Sequence, residues 1–212
     1  MKTIPFLLFA ASVIASIASS MAEENLIPYG GFEGVAPIEQ RIQDDTGEVF
    51  FATWRLFCLH DGKTASPRWF DASVSKDAAE GEQAFSFAIN GSDDLGDCAI
   101  DRAGNMISVE PGATYKISFA AKDAGDCPQV DLGIVEWKSG GEQMPEGIFL
   151  PTTSTTFDLK PEYQTFSMTY TVKEGQKINL RFRPFDSSVG GLPQQDCTML
   201  LDAIQMEKVP AR

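Results

Sequence analysis

Met199-Leu-Leu-Asp-Ala-Ile-Gln-Met-Glu207 is the stretch whose reading decides the fold. As a β-strand it sends Leu200, Asp202, Ile204 and Met206 to one side and Met199, Leu201, Ala203 and Gln205 to the other. Both sides are apolar except for Asp202 and Gln205, so the strand is expected to be buried. A lone carboxylate on an apolar phase costs several kcal/mol unless a cation, a hydrogen-bond donor or water stands beside it. The expected source of that help is the other end of the chain, Asn25-Leu-Ile-Pro-Tyr-Gly-Gly-Phe-Glu-Gly34.

Working outward from this strand, the same period-two pattern recurs. Phe85, Phe87 and Ile89 form one apolar row, Tyr115, Ile117, Phe119 and Ala121 a second, Phe166, Met168, Tyr170 and Val172 a third, and Ile178, Leu180 and Phe182 a fourth. Val49 to Leu59 reads as one long strand with Arg68 to Val74 as its partner. Ile100 to Val109 reads as a strand broken near Gly104, and Asn25 to Phe32 as an edge strand, since Pro28 cannot donate to a ladder. No segment of normal helix length shows a 3.6-residue period. Short strands between Gly/Pro turns predict an all-β chain, a jelly-roll β-sandwich of two antiparallel sheets.

Residues 1–22 read as a signal peptide. Lys2 supplies the positive start, Ile4 to Ala18 an apolar stretch too short to span a membrane comfortably, and Ser20-Met-Ala22 a small-x-small cleavage site. The mature chain, residues 23–212, is therefore expected to be secreted or periplasmic, to form one domain and to be a monomer. Losing Lys2 takes the formal net charge from −13 to −14. Such an excess of acid disfavours nucleic acid and anionic membrane as partners, and leaves room for a divalent cation and a neutral glycan.

The two chain ends carry a resemblance. The opening Asn25–Gly34, the closing Leu201-Asp-Ala-Ile-Gln-Met-Glu207, the segment Ile107-Ser-Val-Glu-Pro-Gly-Ala-Thr-Tyr-Lys-Ile-Ser-Phe-Ala-Ala-Lys122 and Gly81-Glu-Gln-Ala-Phe-Ser-Phe87 are similar to motifs of bacterial carbohydrate-binding modules of families 4, 9, 16 and 22. Those are jelly rolls of the galactose-binding-like group. The resemblance implies a non-catalytic protein that binds a poly- or oligosaccharide on a sheet face or cleft. It also implies a structural calcium held by Glu33 and Asp202, with main-chain carbonyls of loop 76–80 completing an oxygen shell.

Candidate ligand contacts are Trp54, Trp69 and Trp137, because sugars stack on aromatic faces, together with Arg181 and Arg183, which occupy the polar phase of an apolar strand. The plainer alternatives are core packing for the tryptophans and pairing with acids such as Asp131 for the arginines. Four cysteines, Cys58, Cys98, Cys127 and Cys197, invite two disulfides in an exported chain. Counting strand directions places all four at one end of the sandwich and favours Cys98–Cys127 with Cys58–Cys197. Catalysis finds little support. His60, the sole histidine, has no nucleophile implied by a motif, and Glu136 has no second carboxylate aligned with it for glycosidase chemistry. The competing readings are a structural or adhesion sandwich that binds another protein and, third, a jelly-roll hydrolase or lyase.

Overall fold

The computed structural model describes residues 25–28, 30–34, 48–51, 53–60, 63–64, 70–89, 95–102, 106–140 and 147–210. In chain order the strands are β1 (Glu48–Phe51), β2 (Trp54–His60), β3 (Lys63–Thr64), β4 (Phe70–Ser75) and β5 (Ala84–Ile89). There follow β6 (Leu95–Asp101), β7 (Ile107–Ser108), β8 (Thr114–Gly125), β9 (Gln129–Lys138) and β10 (Ile148–Phe149). The last four are β11 (Thr153–Asp158), β12 (Gln164–Thr171), β13 (Lys177–Phe185) and β14 (Cys197–Lys208).

These strands form two antiparallel sheets. The larger runs β1-β2-β6-β13-β9-β10, with β11 also paired to β9, β3 to β2 and β7 to β13; the smaller runs β12-β8-β14-β5-β4. No helix among the described residues is long and apolar enough to cross a membrane. The four apolar rows expected from alternation all turn inward and meet between the sheets. Phe119 of β8 meets Phe182 of β13 edge-on with ring centroids 5.0 Å apart, and Phe32 stacks on Phe85 at 5.5 Å. Interlocked aromatics of this kind dominate a core by the apolar area that each removes from water.

Two expectations about pairing are corrected. Val49 to Leu59 is a hairpin rather than one strand, β1 pairing with β2 from Phe51↔Trp54 outward. The segment ending at Val74 crosses to the other sheet, where β4 pairs with β5. A run of alternating residues specifies which face is buried and leaves the neighbour unspecified. β6 ends at Asp101 and β7 begins at Ile107, and the expected break near Gly104 lies outside the described residues.

The closing strand departs from simple alternation. Ala203 has φ +49°, and the β14–β8 register shifts between Asp202 and Gln205. This bulge changes the phase, so the core receives Met199 and Leu201 before it and Ile204 and Met206 after it. Asp202 therefore points away from the core, against the reading that set it beside Ile204. The opening segment lies along β14 without forming a regular strand: Leu26 N–H donates to Met206 O and Ile204 N–H donates to Gly30 O, both at 2.9 Å. Asn25 Oδ1 accepts from the Ile27 and Met206 amides at 3.0 Å. Gly30 is required there, because a Cβ would stand 1.9 Å from the Ile204 carbonyl oxygen.

Candidate functional site

The outward phase of the larger sheet carries a polar patch set by the register. Arg181 lies between Asp101 of β6 and Gly133 of β9, and Arg183 lies opposite Asp131. Arg55, across from Asp101 on β2, binds it through two bonds, Nε–Oδ1 at 3.1 Å and Nη2–Oδ2 at 2.9 Å. Arg183 Nε donates to Asp131 Oδ2 at 2.9 Å, and Thr156 Oγ1 donates to Asp131 Oδ1 at 3.2 Å. Asn179 Nδ2 donates to Asp101 Oδ2 at 3.3 Å. Beside the Arg183–Asp131 pair lies a cavity of about 170 Å³ lined by Asp131, Gly133, Thr152, Ser154, Arg181 and Arg183.

Trp137 shares this outer phase, four residues along β9 from Gly133, or about 13 Å at the usual rise of a strand. Its register partner is Phe149, which is 66% exposed and the most open of the large apolar side chains among the described residues. Lys177 Nζ stands 5.4 Å from the Trp137 ring, and the backbone at Gly147 packs so closely on the indole that a Cβ there would lie 2.2 Å from it. The indole is thus largely covered, and Phe149 is the open aromatic surface.

The predicted ligand residues divide accordingly. Arg181 and Arg183 come together in the cavity, and the acid named as their partner, Asp131, does pair with Arg183. Trp54 is corrected to a core residue: it is 1% exposed, tilted against Phe32 and Phe182 at 6.1 and 6.0 Å between centroids. Trp69 lies outside the described residues. Gly133, Thr152, Ser154 and Phe149 were missed, because they reach the face only through cross-strand register. The one available signal was a glycine centred in an otherwise bulky strand, which marks a close approach.

A second polar cluster sits outside the smaller sheet. Asp202 is fully buried beneath the loop after β4: its Oδ2 accepts from Ala79 N at 2.8 Å and Glu80 N at 3.0 Å, and its Oδ1 from Ala203 N at 2.7 Å. Glu33 Oε1 accepts from the Glu82 and Gln83 amides at 2.7 and 3.0 Å, and a Cβ at Gly81 would fall 2.1 Å from that oxygen. The loop therefore turns N–H groups toward these carboxylates, where the resemblance implied carbonyls. Burial holds the Asp202 carboxyl above its usual range; the three amides pull the other way, and the charge of Glu33 adds to the rise. No group of three or more His, Cys, Asp or Glu that could hold a metal occurs among the described residues.

Glu136 has a structural assignment. Its carboxylate accepts from Tyr170 Oη at 2.6 Å, Lys173 N at 2.8 Å, Glu174 N at 3.0 Å and Gly175 N at 2.7 Å. Burial would raise its pKa, yet these donors outweigh it and the carboxyl titrates below the ordinary value. Tyr170, which gives it a proton-bearing hydroxyl, is pushed up to about 12, chiefly by burial and then by that bond. His60 is the last residue of β2.

The cysteines are neighbours in a different order from the expected one. Cys127 and Cys197 are buried free thiols in hydrogen-bond contact, and the Cys127 thiol is raised far above its normal pKa by that contact and by burial. Cys58 lies directly across from Cys98 in the β2–β6 register. These neighbours are not the expected Cys98–Cys127 and Cys58–Cys197, because a count of strand directions ignores lateral strand order.

No family model and no curated protein matches the chain. Among solved structures, a family 4 carbohydrate-binding module superposes with a TM-score of 0.53 at 18% identity, over 86% of this chain and 99% of the module. The fold is that of carbohydrate-binding modules. A tandem pair of family 22 modules from Paenibacillus barcinonensis gives 0.51 at 15% identity, over 91% of this chain and 48% of that one. The enzymatically active domain of tailspike protein 4 from bacteriophage CBA120 gives 0.57 at 9% identity, over 87% of this chain. The chain spans only 21% of that tailspike structure. At these identities the likeness is one of fold.

The Glu136 cage yields a pH prediction. A carboxylate whose folded-state pKa is depressed contributes stability that is complete above its unfolded value and lost as pH falls through the folded one. Glu136→Gln should lower unfolding free energy by about 1–3 kcal/mol at neutral pH. The gap to wild type should close on acidification. Urea titrations across pH check this, and equal stability at neutral pH would contradict it.

Proposed function

We propose that this chain is an exported, non-catalytic glycan-binding protein whose ligand lies along the outer face of the larger sheet, from Phe149 to the Gly133 cavity. The observation that carries the reading is the pairing, on one face, of an open aromatic ring with a polar, glycine-floored hollow. Sugars are held by such combinations, a ring against C–H surface and planar polar groups against hydroxyls. The distance from Phe149 to the cavity suits an oligosaccharide rather than one ring. A non-catalytic role agrees with the engagement of Glu136 by four donors and of Asp101 and Asp131 by arginines. Glycan-array and affinity-gel binding of the mature chain should identify a polysaccharide ligand. Phe149→Ala and Arg181→Ala should each weaken that binding about tenfold or more, roughly 1.4 kcal/mol. Failure of the folded protein to bind any glycan would leave a protein-binding sandwich in its place.

Calcium belongs to the same proposal as a stabiliser. The support is a pair of converging carboxylates, Glu33 and Asp202, whose mutual repulsion a hard dication would relieve. The amides already satisfy part of each carboxylate, so the site is anchored with or without the ion. The metal has no catalytic part here; it would tie the opening segment to the closing strand. Thermal melts should show a higher midpoint in calcium than in chelator, a difference lost in Asp202→Asn. Identical wild-type midpoints would assign the cluster to amide hydrogen bonds alone.

Two disulfides are proposed in the exported protein, Cys58–Cys98 and Cys127–Cys197. Register supports the first and thiol contact the second. Peptide mapping without reduction should recover both linked pairs from protein secreted through an oxidising compartment. Free thiols, or any crossed pair, would refute the assignment.

A further inference from the structure

The hollow at Gly133 has a charge asymmetry that bears on which sugars it takes. Its two nearest ion pairs stand on end relative to the sheet. In Arg183–Asp131 the guanidinium side chain is 34% exposed and the carboxylate 4%; in Arg55–Asp101 the values are 26% and 2%. Each acid is sunk into the sheet surface while its arginine lies above it, toward solvent. An ion pair so oriented presents positive potential outward although its net charge is zero, because the nearer pole dominates at short range. Arg181 is placed between the two pairs by the register, adding a third guanidinium to the same face. A protein with a formal charge of −13 therefore carries a locally cationic hollow.

The size and walls of the hollow add a second constraint. At about 170 Å³ it is smaller than the roughly 300–1,000 Å³ of pockets that enclose drug-sized ligands. It can take one ring or ring substituent rather than a chain. The floor is open because residue 133 has no side chain. A Cβ there would meet Thr152 Cγ2 at 3.3 Å and Arg181 Cβ at 3.7 Å, so larger groups would occupy the space that a ligand needs. Thr152 and Ser154 supply hydroxyls at the rim, suited to a sugar's own hydroxyls.

Resting on the glycan reading above, we infer that the Gly133 hollow is a subsite for an anionic sugar, a ring bearing a carboxylate or a sulfate ester, and that it confers preference for acidic over neutral polysaccharide. Guanidinium groups match the planar two-oxygen edge of such anions and bond them more strongly than neutral hydroxyls. Total charge left room for a neutral glycan, and this face adds a preference that total charge does not indicate. Total charge describes the far field, and the contact face is set by which pole of each ion pair is buried.

The test compares polymers matched in backbone and differing in charge. Oligogalacturonate is set against its methyl-esterified form for the carboxylate, and dextran sulfate against dextran for the sulfate, each titrated calorimetrically into the mature chain. At least one charged member should bind about tenfold or more tighter than its neutral partner. That advantage should shrink as salt rises to about 0.5 M, since exposed charge is screened. Gly133→Val, which fills the floor, and Arg181→Gln, which removes a guanidinium, should each abolish the preference while keeping the wild-type melting midpoint. Whichever pair shows the advantage identifies the anion. Equal affinity for charged and neutral members overturns the anionic subsite and leaves the glycan reading standing. A preference that survives both substitutions in folded protein overturns its location. Absence of binding to these polymers and to every neutral glycan on an array overturns the glycan reading itself.

Discussion

The structure depends on keeping a buried carboxylate satisfied. Asp202 has no exposure, and a charge in that position is tolerated only with donors in place. Its three amide partners come from the loop after β4 and from the residue that follows it. That last bond accompanies the positive φ of Ala203, so the bulge and the satisfaction of the charge are parts of one arrangement. Glu33 holds the far side of the same loop through two further amides. An irregular opening segment, a surface loop and the closing strand are thereby fixed by two acids. They add to the backbone bonds and the Asn25 side chain that hold the opening segment along β14, where it forms no regular strand.

The outer face of the larger sheet shows the complementary use of charge. There the acids lie low and the arginines high, and the pairs serve orientation more than stability, since partly exposed ion pairs contribute at most about 1 kcal/mol each. Bonding Arg183 to Asp131 and Arg55 to Asp101 restricts long side chains before any ligand arrives. Less conformational entropy then remains to be lost on binding.

Much of this was legible in the sequence, and the remainder was hidden for identifiable reasons. Alternation located the inward rows of β5, β8, β12 and β13, because a strand with one buried face cannot slip by a residue without exposing its core. It also put Arg181 and Arg183 on an outer face. It failed at Asp202, where a single non-glycine residue with positive φ changed the phase, a local event without a compositional marker. Trp54 was named as a candidate contact with core packing as its alternative, and the core is where it lies. Phe149, Thr152 and Ser154 belong to strands next to β9 or to their approach, and their relation to Trp137 and Gly133 exists only in the register. The cysteines failed similarly: the order of strands across a sheet, which decides the pairs, is not encoded by strand direction.

The Glu136 cage has a mechanical consequence. Glu136 belongs to β9 of the larger sheet and Tyr170 to β12 of the smaller, while Lys173 to Gly175 form the turn by which the chain passes from one sheet to the other. One side chain thus rivets two layers and their connecting bend. Breathing of the sandwich at that corner would have to break several hydrogen bonds together, whereas a peripheral ladder can fray one rung at a time. The riveted corner includes the end of β9 that bears Trp137. The aromatic end of the outer face is therefore mounted on a corner that is cross-linked between the layers.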